Sequence, residues 1–319
     1  MKKNYILLLL LCLCFAGCKE KLVVESDHLP IADPYVMLYE GKYYAYGTGG
    51  TVEGEGFACF SSDDLKNWTR EGQALSAANS YGTWGFWAPE VYYIKSKNKF
   101  YLFYSTEEHI CVATADVPQG PFRQEVNQPI WGEKSIDTSL FIDDDGTPYL
   151  YFVRFTDGNV IWVAEMNDDL TGIKQETLTE CIKAEEPWEL SQDKPAKVAE
   201  GPSVLKKNGI YYLIYSANHF ESKNYGVGYA TSDSPMGPWT KYVGNPILQR
   251  VDELMGTGHG VPFLCKDGSW KYIFHAHWSS TKVQPRTSYI KDFAISDRGV
   301  VSIGGDIIRP QVVSNASEK

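Results

Sequence analysis

Residues 33–48 read DPYVMLYEGKYYAYGT: a charged head, an apolar run, a Glu40-Gly41 step and a second run rich in tyrosine. Two β-branched and aromatic runs around a two-residue, glycine-containing turn signal a β-hairpin. An aspartate before proline at a strand head is ordinarily a turn former, because its carboxylate bonds nearby backbone. That explanation suits a single occurrence. The scheme recurs as APEVYYIKSKNKFYLFYS (88–105), DTSLFIDDDGTPYLYFV (137–153), EGPSVLKKNGIYYLIYS (200–216) and HGVPFLCKDGSWKYIFHA (259–276). The turns Lys97-Asn98, Asp145-Gly146, Asn208-Gly209 and Asp267-Gly268 repeat the hairpin chemistry.

Most hairpins are followed by a third apolar strand, a turn and a short edge, as in GFACFSSDDLKNWT, ICVATADVPQGPF, VIWVAEMNDDLTGI and GVGYATSDSPMGPWTKY. Four strands per unit, repeated every few tens of residues, are the signature of propeller blades. The equivalent positions Val36, Val91, Leu140, Val204 and Phe263 lie 55, 49, 64 and 59 residues apart, so the blades differ in loop length. The pattern predicts an all-β, five-bladed β-propeller with four-stranded blades around a central channel, a single domain over residues 29–319. RTSYIKDFAISDRGVVSI supplies the last strands of the fifth blade.

The first residues stand apart. MKKNYILLLLLCLCFAGC has two lysines, an apolar run and small residues before Cys18, the pattern of a lipoprotein export signal over residues 1–18. A lipid on Cys18 would tether the domain to a membrane through residues 19–28 and place it, exported and anchored, in a bacterial envelope. An ordinary signal peptide cleaved nearby is the alternative. Cys59, Cys111, Cys181 and Cys265 then remain, widely spaced and without metal-binding CxxC pattern. The net charge of −10, with no basic cluster, argues against nucleic acid as partner. Aromatic residues make up 14% of the chain, with 21 Tyr and 9 Trp, and such rings serve both cores and sugar faces.

In a propeller the first strand of each blade lines the channel, so strand heads meet at one mouth. Asp33, Asp137, Glu200 and His259 head four of these strands, and Glu90 lies just inside the remaining one. Carboxylates crowded into a partly apolar cavity are driven apart in pKa: one is held protonated while another stays ionised. An acid facing a base is the equipment of glycoside hydrolysis, and a third carboxylate can tune the acid. Trp84, Phe86, Trp87, Trp131 and Trp188, in loop-like stretches, are expected to ring the carboxylates and receive a sugar. Asp143, Asp144 and Asp145 read as a solvated hairpin tip, Glu90 as a substrate contact or half of a buried ion pair, and His219, His275 and His277 as core or rim residues.

ADPYV, WAPEV, SIDTSLF, EGPSVLKKNGIYYLIYSAN, YATSDSPMGPW, GTGHG and PRTSYI, in this order, resemble glycoside hydrolase family 43, from about Asp33 to the mid-290s. The resemblance implies inverting hydrolysis of arabinan, xylan and related side chains. It implies Asp33 as general base, Asp137 as the residue that orients the acid and sets its pKa, and Glu200 as general acid. It implies Arg286 as a sugar contact of the last blade; Trp87, Glu90 and His259 are the other residues expected to bind substrate. His259 matches a histidine at the channel centre next to a calcium ion or water, which it would reach through water, since calcium prefers oxygen ligands. HGVPF departs from the family where many relatives carry a second histidine or a serine.

The expected activity is exo-acting, as an α-L-arabinofuranosidase or β-xylosidase on oligosaccharide or polysaccharide substrates. A β-galactofuranosidase or galactan-directed enzyme is the alternative within the class. A lipid-anchored propeller that binds glycans without cleaving them is the alternative outside it; the complete carboxylate set favours catalysis.

Overall fold

The computed structural model describes residues 22–51, 54–190 and 193–316. The signal and Cys18 lie outside the described residues. After β1 (Leu22–Ser26), blade 1 comprises β2 (Ala32–Tyr39), β3 (Lys42–Thr48), β4 (Gly56–Ser62) and β5 (Asn67–Ser76). Blade 2 comprises β6 (Trp87–Ile94), β7 (Lys99–Thr106) and β8 (His109–Ala115). Blade 3 holds β9 (Ser135–Ile142), β10 (Pro148–Phe155), β11 (Asn159–Glu165) and β12 (Thr179–Ile182). Blade 4 holds β13 (Ala199–Lys207), β14 (Ile210–Ala217), β15 (Gly226–Ser232) and the short β16 (Thr240–Lys241) and β17 (Leu248–Gln249), which both pair with β15. Blade 5 holds β18 (Gly258–Leu264), β19 (Trp270–Ala276), β20 (Thr287–Ile295) and β21 (Val301–Ile308), and β22 (Gln311–Asn315) ends the strand series.

Five small antiparallel sheets thus form the propeller anticipated from the repeats. Blade 2 departs from four strands: its outer strand is reduced to one bridge between Thr114 and Arg123. The hairpin turns follow the sequence, and at Glu40-Gly41 and Asn208-Gly209 both residues take positive φ, as a type I′ turn requires.

The core is divided among the seams between blades. Tyr44, Phe57, Val91 and Leu102 pack between blades 1 and 2, and Tyr101, Phe103, Leu150 and Phe152 between 2 and 3. Val153, Val163, Leu213 and Tyr215 fill the seam of blades 3 and 4, and Tyr212, Ile214, Phe274 and Tyr289 that of 4 and 5. Ile31, Val36, Phe263 and Ile273 close the circle between blades 5 and 1. Closure is reinforced by hydrogen bonding: β22 runs back to pair in parallel with β5, and β1 pairs with β22. Residues 22–26, expected within the tether, therefore form the outermost strand of blade 1. Backbone groups that would otherwise need water find partners on β22, which is why the segment docks.

Asp143 is another departure. Rather than standing in solvent, it accepts hydrogen bonds from Lys206 Nζ and Tyr211 Oη of blade 4, both at 2.6 Å. Cys59, Cys111, Cys181 and Cys265 are free thiols.

Candidate active site

One backbone device shapes the head of every inner strand. The register shifts between Ala32 and Tyr35, Trp87 and Glu90, Ile136 and Ser139, Glu200 and Ser203, and Gly258 and Val261. Within each bulge one residue adopts the left-handed conformation: Asp33 (φ 46°), Ala88 (47°), Asp137 (58°), Gly201 (56°) and His259 (42°). A non-glycine residue there is strained by roughly 1–2 kcal/mol. The strain re-aims the side chain, which is the usual use of a bulge beside a functional site. Asp33, Asp137 and His259 consequently converge, and Glu200 joins them from the position just before its glycine.

The freed amides are captured by the neighbouring blade. Ala88 N–H donates to Thr48 Oγ1 at 2.9 Å, Asp137 N–H to Ser105 Oγ at 2.9 Å, His259 N–H to Ser216 Oγ at 2.7 Å and Asp33 N–H to His275 Nδ1 at 3.1 Å. Gly201 N–H instead donates to Asp137 Oδ2 at 3.2 Å.

The three carboxyls are buried, with 7%, 5% and 8% of Asp33, Asp137 and Glu200 exposed, yet their environments differ. Arg286 grips Asp33 with two nitrogens, 2.8 Å from Oδ1 and 3.3 Å from Oδ2, and His259 Nδ1 lies 3.3 Å from Oδ1. Burial alone would raise the pKa of Asp33. Arg286, then His259 and His275, overcome it and hold the carboxyl well below the usual range. Asp33 is ionised. Asp137 is pushed up to about 7 by burial and by the charge of Asp33, with Gly201 N–H and Arg286 opposing. Glu200 is likewise pushed up to about 7, by burial and then Asp137. Asn159 Nδ2 and Tyr225 Oη each donate to it at 2.8 Å. An ionised carboxylate and a carboxyl that keeps its proton up to neutral pH thus line one pocket.

That pocket, of about 740 Å³, is walled by four blades beyond Asp33. Trp87, Phe155, Phe220 and His219 give it apolar and ring surfaces; Asn159, Lys197 and Arg286 give it donors. Arg286 stacks on the Phe220 ring, 4.8 Å from its centroid, and His277 Nε2 lies 2.7 Å from the Phe220 carbonyl oxygen, buttressing that segment. A fully buried Glu189, paired with Lys241 at 2.7 Å and accepting from Tyr215 Oη and the amides of Glu185 and Glu186, anchors the connection that carries Pro195–Val198 to the wall.

Of the aromatic residues expected around the carboxylates, only Trp87 lines the pocket. Phe86 and Trp131 are core residues of the seams between blades 1 and 2 and between 2 and 3, and Trp188 packs on Tyr215. Trp84 stands outside, 52% exposed, edge-on to Trp87 at 6.1 Å. Glu90 faces a small enclosed cavity deeper in the channel, of about 10 Å³, which also touches Asp33, Asp137 and His259. Its hydrogen-bond partners are Tyr92 and Ser139 rather than a base, and burial pushes it up to about 8.

Asn159, Tyr225, His275, Phe155 and Phe220 were not anticipated as site residues. Asn159 follows the Asp157-Gly158 step, a hairpin-turn signal through which it could have been found; the others reach the site from β10, the β14–β15 connection and β19, with no pattern of their own. His275 is pushed down to about 3 by burial and by Arg286, so its neutral Nδ1 accepts from Asp33 N–H. Calcium needs six to eight oxygens. Among the described residues no group of three or more His, Cys, Asp or Glu is arranged to hold a metal ion.

The family model for glycosyl hydrolases family 43 matches residues 28–301. The chain belongs to glycosyl hydrolases family 43. Among family relatives, a β-xylosidase from Xylanibacter ruminicola is 30% identical over 81% of this chain and 90% of its own length. A β-D-galactofuranosidase from Aspergillus niger is 28% identical over 77% of this chain and 74% of its own. A crystal structure of an endo-1,4-β-xylanase from Bacteroides thetaiotaomicron is 77% identical, covers 92% of this chain and all of that one, and superposes with a TM-score of 0.90. As a family 43 member, the protein is a glycoside hydrolase acting on oligosaccharide or polysaccharide, and the carboxyl cluster at its channel mouth is the chemistry that this activity needs.

Proposed function

We propose that the protein is an inverting, exo-acting glycosidase that releases pentose units, as a β-xylosidase or α-L-arabinofuranosidase. Asp33, Asp137 and Glu200 take the roles of base, tuner and acid. The observation that carries the reading is the contrast between two buried carboxyls in one pocket: Asp33 is gripped by Arg286 and held well below the usual range, while Glu200 accepts only from Asn159 and Tyr225 and is pushed up to about 7. Asp33 takes a proton from water as its oxygen attacks the anomeric carbon. The glycosidic C–O bond breaks and Glu200 gives its proton to the leaving oxygen. Asp137 is itself raised by burial, and Gly201 N–H favours its charged form; to the extent that it ionises, it makes Glu200 bind its proton more tightly. Trp87, Phe155 and Phe220 present faces for the sugar, and Arg286 orients the base.

Pentose specificity draws support from relatives named β-xylosidase and arabinoxylan arabinofuranohydrolase, the latter from Bacillus subtilis. The Aspergillus relative makes β-galactofuranose the second candidate. We also infer, from FAGC ending at Cys18, that a lipid on this cysteine anchors the protein in the envelope. No helix of the described residues is long and apolar enough to cross a membrane.

The test is a panel of nitrophenyl α-L-arabinofuranoside, β-D-xyloside, β-D-galactofuranoside and β-D-galactoside, with xylan added to separate exo from endo action and Asp33→Asn as control, since water still needs its base when the leaving group needs no acid. Release of one pentose, lost in the control, is the expected result. Cleavage of galactofuranoside alone, or only internal cleavage of xylan, would replace the specificity or the mode. Oligosaccharide binding without any hydrolysis would overturn the catalytic reading.

A further inference from the structure

The amide ring around the channel is interrupted once. Each capturing side chain occupies the same place on the second strand of its blade, opposite the residue that precedes the bulge: Thr48 faces Ala32, Ser105 faces Trp87, Ser216 faces Glu200 and His275 faces Gly258. Each accepts from the left-handed residue of the next blade. In blade 3 this place, opposite Ile136, belongs to Val153, which is fully buried and offers no acceptor. Gly201 N–H, the donor that a fifth acceptor would take, is the one bonded to Asp137 Oδ2.

We propose that Val153 is a positioning residue: by denying Gly201 N–H a side-chain acceptor on β10, it leaves that amide free to hold the carboxylate of Asp137. A buried amide bonds whatever acceptor is in reach, because leaving it unpaired is unfavourable. A hydroxyl at 153 would compete with the carboxylate directly. Four blades spend the amide on the scaffold. In blade 4, directly after the acid Glu200, the amide of Gly201 is left for the site and bonds Asp137 of blade 3. The glycine permits the arrangement, since a Cβ at 201 would come within 2.9 Å of the His259 ring.

The inference rests on the tuning role of Asp137 proposed above. The test compares four side chains at 153 in pairs that differ by little more than an oxygen: Val against Thr, and Ala against Ser. With an acceptor restored, Asp137 loses a bond that favours its charged form and binds its proton more tightly. Less negative charge then faces Glu200, whose proton leaves more readily. In Val153→Thr the basic limb of the kcat profile should move to lower pH, with kcat down by about tenfold, the loss of one hydrogen bond to a charged group, and KM within about twofold. Val153→Ala, which opens a cavity but adds no acceptor, should lower the melting temperature and leave the limb in place. If Val153→Thr does not fold, Val153→Ser against Val153→Ala gives the same contrast. A limb that stays put in the hydroxyl variants, or moves equally in Thr and Ala, overturns the proposal. Asp137→Asn, measured alongside, separates the two failures: a limb unmoved there sinks the tuning role itself, whereas a limb moved there but not in Val153→Thr sinks only the role of Val153.

Discussion

The seam where blade 5 meets blade 1 and the side of the mouth formed by blades 3 and 4 treat buried carboxyls in opposite ways. At the first, Asp33 stands at a strained strand head with Arg286, His259 and His275 around it, and its carboxyl is held well below the usual range. At the second, Asp137 stands at the equivalent position, with a similar φ and similar burial, and is pushed up to about 7. Glu200 beside it has only neutral hydrogen-bond donors, Asn159 and Tyr225, and is also pushed up to about 7. Position and burial do not decide the charge. The cation does, because burial favours the neutral acid until a guanidinium is brought within 2.8 Å.

The comparison breaks most visibly through catalysis. Asp33→Asn and Glu200→Gln should each lower kcat by about 10²–10⁴-fold with the fold retained, checked by hydrolysis and by circular dichroism. The Glu200 variant should lose less on nitrophenyl glycosides than on natural oligosaccharides, because nitrophenolate leaves without a proton. Equal losses on both substrates would remove Glu200 from the acid role.

Stability should respond with opposite signs. Asp33→Asn takes the carboxylate away from the half-buried Arg286 and should destabilise the protein at neutral pH by about 1.5–3 kcal/mol. The stability supplied by Asp33 is present above its unfolded pKa and fades as pH falls toward its depressed folded value. Glu200 behaves inversely: its folded pKa is raised to about 7, so stability declines as pH climbs from the unfolded value through 7. Glu200→Gln should therefore stabilise at alkaline pH, by up to about 3 kcal/mol. Denaturant titrations of both variants at neutral and alkaline pH check the pair of signs.

Two smaller effects sharpen the contrast. Arg286→Gln should turn Asp33 into a carboxyl of the other kind, with burial now dominant, and raise the acidic limb of the pH–rate profile. Asp137→Asn should lower the basic limb, since the charge that helps keep the proton on Glu200 is gone. Limbs unmoved in these variants would show that other groups set the profile.

The propeller and its carboxyls were legible because the features that specify them are local and repeat: a polar head, an apolar strand, a hairpin step. Asp33, Asp137, Glu200 and His259 share a place in that repeat, so their convergence followed from topology. Arg286 was reachable through family resemblance alone, and its bidentate grip on Asp33 was not, since the two lie 253 positions apart. The aromatic residues misled for a physical reason. Trp131 and Trp188 sit in irregular segments, which usually lie on the surface, but here the segments fold back and fill the seams between blades. Residues 22–26 looked like tether because short polar-flanked strands are identified only by the partner they find, and β22 arrives from the other end of the chain. His275 and Tyr225 carry no local mark at all; only the geometry of the mouth makes them partners of Asp33 and Glu200.

The most direct measurement is the pH dependence of kcat/KM for the unmodified protein on the pentoside that the panel identifies. An ionised Asp33 and a protonated Glu200 predict a plateau with its acidic limb below the ordinary carboxylate range and its basic limb near pH 7. A rate that stays flat from neutral far into the alkaline range, or that rises through neutrality, would contradict the assignment of Glu200 as the acid opposite Asp33.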